Sequence, residues 1–103
     1  MAAEAMAELF RVLGDPTRIE ILRLLAADDE VACTTLEQVL PISKSTISYH
    51  IKALKTVGLL SVRKAGRYYH YTLHRHRLDA LLPGFVDSLG RAVPERSAEK
   101  NRP

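Results

Sequence analysis

Lys44, Ser45, Ser48, Tyr49, Lys52 and Lys55 fall in one short stretch, Ser43 to Gly58, reading SKSTISYHIKALKTVG. At helical spacing they share a face opposite Ile47, Ile51 and Leu54. Ammonium groups bind phosphate oxygens, hydroxyls bond phosphates or base edges, and a phenol adds an apolar ring with a polar tip. The face carries no carboxylate to repel a polyanion. That chemistry suits a helix lying in a DNA groove.

The local sequence sets up such a helix. Ser43 is a good N-cap, because its hydroxyl accepts from the unpaired amides of the first turn. Ile42 before the cap and Ile47 after it are placed for a hydrophobic staple. Gly58 offers the left-handed residue that ends a helix. Upstream, Asp15 and Pro16 open another helix as cap and first-turn proline, with Ile19, Ile21, Leu22 and Leu25 inward and Glu20 and Arg23 outward. Asp28, Asp29 and Glu30 form an acidic turn. Thr34 or Thr35 can cap a short helix, Leu36 to Leu40, which passes through Pro41 and Ile42 into the polar-faced helix. A short helix, a tight turn and a longer polar-faced helix make a helix-turn-helix.

After Gly58 the period changes. Leu60 and Val62, then Tyr69, Tyr71 and Leu73, alternate with polar residues around Lys64-Ala65-Gly66-Arg67. This reads as a β-hairpin. A basic hairpin directly after the polar-faced helix is a wing, with Arg63, Lys64 and Arg67 at or near its tip, in reach of phosphates or the minor groove.

The chain has 103 residues, enough for one domain. With 47% hydrophobic residues in so small a unit, self-association is expected. Net charge is +3, and its distribution says more than its size. From Gln38 to Leu78 there is no Asp or Glu, while Lys44, Lys52, Lys55, Arg63, Lys64, Arg67, Arg75 and Arg77 all fall there. A charge run is usually a solvated surface. Because this one coincides with a capped helix and a hairpin, polyanion binding is the better reading.

Ala2 to Leu13 is rich in helix formers, with Met6, Leu9, Phe10 and Leu13 on one face, and Gly14 ends it. From Arg75 the helical period returns with Leu78, Leu81, Leu82, Phe85, Val86 and Leu89, interrupted by Pro83-Gly84, where a kink or break is expected. These two segments lie outside the DNA unit. Met6, Leu9, Phe10, Leu81, Leu82, Phe85 and Leu89 are therefore the candidate dimer interface. Residues 1–93 are expected to form one domain and residues 94–103 a flexible polar tail. Cys33 is the single cysteine, so no intramolecular disulfide forms. There is no cationic leader before an apolar core and no apolar run near twenty residues, so a cytoplasmic protein without membrane partners is expected. The sequence lacks a Gly-rich phosphate loop, a paired-carboxylate pattern and a nucleophile-base constellation, which argues against an enzyme.

LFRVLGDPTRIEILRLL, followed by LEQVLPISKSTISYHIKALKTVGLLSVRKAGRYYHYTL, resembles the ArsR/SmtB family of small transcriptional repressors. The resemblance spans roughly Leu9 to Leu89 and rests on the LGDPTR segment, the S-x-S-T-x-S-x-H-x-x-x-L helix and the G-R-x-x-x-Y wing. It implies a mainly α winged helix-turn-helix with a β-hairpin wing. It also implies a homodimer through the N- and C-terminal helices, bound to a palindromic double-stranded operator and released by an inducer. By position, Ser45, Thr46, Ser48, Tyr49 and His50 match the part of the family's recognition helix that meets the major groove. With Ser43, Lys44, Lys52, Arg63, Lys64 and Arg67 they make the expected DNA-binding set. Thr46 is either a groove contact or a first-turn capping residue, and Tyr49 either reads a thymine methyl or packs on the hairpin. Arg18 is read as pairing with a neighbouring acid in preference to a phosphate. A winged helix used only for protein interaction is the alternative from another class.

Many members of the family sense metals, and here the chain departs from the pattern. Where one sensor site has C-V-C-D-L, aligning on Leu36 puts Ala32 and Thr34 at the cysteine positions, with Cys33 between them. A thiolate pair is therefore absent, and Cys33 reads as a small buried residue. A second site has the spacing D-x-H-x10-H-x2-E or H; here it falls on His74, His76, Asp87 and Gly90. His70, His74 and His76 would share a face if the strand ran past Leu73. His74, His76 and Asp87 are accordingly the candidate ligands for Zn, Ni or Co acting as effector. No metal is expected to be needed for folding.

Overall fold

Asp15 starts the second helix as its type predicts: the carboxylate accepts from the Thr17 and Arg18 amides at 2.8 and 3.1 Å, with Pro16 at the first helical position. The computed structural model describes residues 1–90. Along it run α1 (Ala3–Leu13), α2 (Pro16–Ala26), β1 (Val31–Ala32), α3 (Cys33–Val39) and α4 (Lys44–Thr56). The wing strands β2 (Leu60–Ala65) and β3 (Tyr68–Leu73) follow, then α5 (Arg75–Leu81) and α6 (Phe85–Leu89). The expected tail, residues 94–103, lies outside the described residues, as does the end of the expected domain. No helix among the described residues is long and apolar enough to cross a membrane.

The helices meet in one core. Ile21, Leu22 and Leu25 of α2, Leu36 of α3, Ile47 and Leu54 of α4, and Leu59, Leu60 and Leu78 are essentially inaccessible. Each such side chain contributes about 1.5–3 kcal/mol by leaving water. α4 packs on α2, α3 and β2, which gives its polar face a rigid backing.

The sheet has three strands in the order β1-β3-β2, all antiparallel. Leu60 pairs with Leu73 and Ala65 with Tyr68, leaving Gly66 and Arg67 as a two-residue turn. Gly66 has φ +64° and Arg67 has no positive φ, the pattern of a type II′ hairpin turn. β1 is an addition to the sequence-based expectation: Val31 pairs with Tyr71 and Ala32 with His70. It welds the acidic turn to the wing. α3 begins at Cys33, with no side-chain cap from Thr34 or Thr35.

The expected interruption at Pro83 is a full break. α5 ends at Leu81, and Gly84, at φ +85°, separates it from α6. Arg75 is structural. Its guanidinium donates to the carbonyls of Leu25, Ala26 and Asp28 at 3.5, 3.0 and 2.8 Å, capping the end of α2.

The expected dimer face divides in two. Leu9 and Leu89 are buried inside the protomer, because Leu9 shares a stripe with Val12 and Leu13 and Leu89 closes over the core. Leu81, Leu82 and Phe85 are half-buried against the same core. Met6 and Phe10 point outward, 43% and 52% exposed.

Candidate nucleic-acid interface

α4 begins on Ser43, whose hydroxyl accepts from the Thr46 amide at 3.2 Å. The Ser43 Oγ also lies 3.1 Å from Ser45 Oγ and 2.9 Å from Thr46 Oγ1, so a hydroxyl cluster marks the start of the helix. Thr46 thus lies within the capping cluster. Gly58, at φ +80°, follows the last turn. Lys44, Ser45, Ser48, Tyr49, Lys52 and Lys55 are all exposed, and the face they form is free of carboxylates.

His50 is not on that face. It is 7% exposed, on the buried stripe with Ile47, Ile51 and Leu54. Its Nδ1 accepts from Arg18 Nε at 3.0 Å, so the ring proton resides on Nε2. Arg18 is 4% exposed, donates also to the Val12 carbonyl at 3.4 Å, and lies with Cζ 5.7 Å from the centre of the Tyr49 ring. Its hydrogen-bond and ring partners are a histidine, a carbonyl and an aromatic face, and no carboxylate forms an ion pair with it among the described residues. Tyr49 is 64% exposed and meets the His50 ring edge-on at 5.2 Å.

In the wing, Lys64 and Arg67 are exposed, with Lys64 Nζ 5.8 Å above the Tyr69 ring. Arg63 lies opposite His70 in mid-strand, below the tip, and its guanidinium is forked onto Glu30. That hydrogen bond holds the Glu30 carboxyl below its usual range. Lys44 of α4 and Arg67 of the wing line one cleft of about 140 Å3, together with Cys33, Thr34, Glu37, Tyr68 and Tyr69. The two elements therefore present cations side by side. Cys33 is 5% exposed and its thiol donates to Glu37 Oε2 at 3.3 Å. Burial raises the thiol above its ordinary value, as fits a packed, protonated cysteine.

The expected metal ligands are not brought together. β3 stops at Leu73, so His70, His74 and His76 do not share a strand face. His74 stands at the start of α5 with Nδ1 2.9 Å from the Gly58 carbonyl oxygen, His76 lies on α5, and Asp87 lies beyond the Pro83-Gly84 break. Among the described residues no three His, Cys, Asp or Glu side chains are placed to hold a metal ion.

Sequence reasoning misplaced His50, although its distances of three from Ile47 and four from Leu54 put it on the buried stripe. The roles of Arg18 and Arg75 depend on contacts distant along the chain, for which no local signal exists.

Comparison with known proteins places this geometry. A helix-turn-helix domain family matches residues 13–63. The arsenical resistance operon repressor of Staphylococcus xylosus is 37% identical over 79 residues, covering 77% of this chain and 75% of that protein. An uncharacterized HTH-type transcriptional regulator of Bacillus subtilis, YceK, is 34% identical over 84 residues, covering 81% and 84%. An ArsR-like transcriptional regulator from a Rhodococcus species superposes with a TM-score of 0.64 at 29% identity, covering 96% of this chain and 85% of that one.

Proposed function

The chain belongs to the ArsR/SmtB family of helix-turn-helix transcriptional regulators, and on that premise we propose a homodimeric repressor with α4 of each protomer in a major groove of its operator. The observation that carries this reading is the carboxylate-free, exposed face of α4 beside the cationic wing. Ser45, Ser48 and Tyr49 are assigned to base edges, and Lys44, Lys52, Lys64 and Arg67 to phosphates. Ser43 and Thr46 shape the start of the helix, and His50 and Arg63 act from behind the contact surface. Twofold symmetry calls for an inverted repeat with half-sites about one helical turn, or a multiple, apart. Met6 and Phe10 are the exposed apolar residues assigned to the partner protomer.

Footprinting on the chain's own upstream DNA tests the assignment. Ser48→Ala or Tyr49→Ala is expected to change base preference, whereas Lys64→Ala weakens all sequences alike. A footprint unchanged by all three would place the DNA face elsewhere.

A metal-responsive reading, with Zn, Ni or Co as effector, is supported by the arsenical resistance named for one relative. Among the described residues of one protomer no three candidate ligands come together, and the reading therefore places the site between two protomers. Titration of the dimer with Zn or Ni, against a His74→Ala/His76→Ala double variant, tests this; equal weak binding by both disposes of it.

A further inference from the structure

We propose that Arg18, buried directly behind the groove-facing surface, is a positioning residue that sets Tyr49 for base reading. The inference rests on the reading of α4 as the recognition helix. Arg18 leaves the first turn of α2, where the Asp15 cap holds its amide. It is 4% exposed and makes no ion pair among the described residues. An arginine always carries its charge, and a charge taken out of water needs directed partners.

The partners here converge on one helix. Nε donates to Nδ1 of His50 at 3.0 Å, and Cζ stands 5.7 Å from the centre of the Tyr49 ring. The two residues are consecutive on α4, and their rings meet edge-on at 5.2 Å and 69°. Arg18 thus grips a buried residue and an exposed one at once. Nη1 reaches the Val12 carbonyl in the last turn of α1, where the unpaired end of a helix favours a cation.

A packing role alone would be met by an apolar side chain at a lower desolvation cost. What the guanidinium adds is the geometry of a planar fork: Nε bonds the imidazole and Nη1 the Val12 carbonyl, while Cζ stands over the phenol ring. Lysine has the charge without the fork, and glutamine has a donor without the charge. The Tyr49 ring remains 64% exposed, so it is held on one side and open on the other. Fixing that ring before DNA arrives removes an ordering cost from the bound state, and fixes where its hydroxyl points.

The test is a double-mutant cycle on the full chain, with Arg18→Lys, Arg18→Gln, Tyr49→Ala and the Arg18→Lys/Tyr49→Ala pair. Each protein is first shown to be folded by its thermal transition, and then titrated with operator and with single-base variants of it. Both Arg18 variants are expected to lose discrimination at the base pairs affected by Tyr49→Ala, by on the order of tenfold. Arg18→Lys should add nothing in the Tyr49→Ala background, because its effect runs through that ring. Equal weakening of operator and non-operator DNA by the Arg18 variants, or additive effects in the pair, would overturn the proposal. If Tyr49→Ala changes base preference and the Arg18 variants do not, this inference alone fails. If Tyr49→Ala leaves base preference unchanged while Ser48→Ala alters it, the reading of α4 stands and this inference fails; if neither alters it, both fail.

Discussion

Arg63 and Glu30 form a forked ion pair, Nε to Oε2 at 2.9 Å and Nη2 to Oε1 at 2.8 Å, which ties wing strand β2 to the turn ahead of β1. The residues are far apart in sequence, and this exposed pair adds a side-chain tie beside the β1–β3 pairing that joins the wing to the rest of the domain. It also separates the wing's cations into one engaged below and two presented at the tip.

Phosphate affinity should follow that division. Lys64→Ala and Arg67→Ala are each expected to lower the slope of log affinity against log salt by about 1 per protomer. Arg63→Ala should leave the slope nearly unchanged. Fluorescence anisotropy over a series of KCl concentrations measures all three, and a large drop for Arg63→Ala would mean that the ion pair opens on DNA.

Gly58 joins two constraints at the end of α4. It has φ +80°, and an added Cβ would lie 3.0 Å from Arg77 Nε. Gly58→Ala is expected to destabilise the fold by about 1–2 kcal/mol through the backbone alone. The crowding at Arg77 adds to this. Gly66→Ala meets the same backbone penalty with open space around it, so its thermal transition should fall less.

The apolar residues of α1 should separate by exposure. Phe10→Glu changes a residue that is 52% exposed, so the protomer is expected to fold but to sediment at half the mass of the dimer. Leu9→Ala, at a residue only 3% exposed, should instead cost about 2–5 kcal/mol of stability. Dimers that persist in Phe10→Glu would move the interface to another face.

Stability should fall in alkali. Burial raises both the Cys33 thiol and the Tyr71 phenol above their ordinary values of 9.0 and 10.0. The folded chain then holds protons that the unfolded chain gives up first. The contribution is complete below about pH 9 and is lost as the pH climbs through and beyond these values. Urea midpoints at about pH 8 and about pH 10.5 should differ more in the native chain than in Cys33→Ala/Tyr71→Phe.

The turns and helix ends of the fold were legible because they are written locally. Ser43 caps α4, Gly58 takes the left-handed conformation after it, Gly66-Arg67 turns the hairpin, and Pro83-Gly84 breaks the last helix. Each depends on neighbours in the chain, where residue type and spacing suffice. What was missed depends on distant partners. Val31–Ala32 is too short to show a period and becomes a strand only because Tyr71 and His70 lie beside it. Arg18, Arg63 and Arg75 look alike in sequence; their partners, lying 32, 33 and 47 or more positions away, give them three different roles. The histidines suggested a metal site by spacing, but the end of β3 and the break at Pro83 scatter them.

The central claim is tested most directly by the affinity of the purified protein for its own upstream DNA as salt is raised. If two protomers each place Lys44, Lys52, Lys64 and Arg67 on phosphates, log affinity should fall with log salt at a slope of about −7. Binding should also centre on an inverted repeat. A flat salt response without sequence preference would contradict the account and make the winged helix a protein-interaction module.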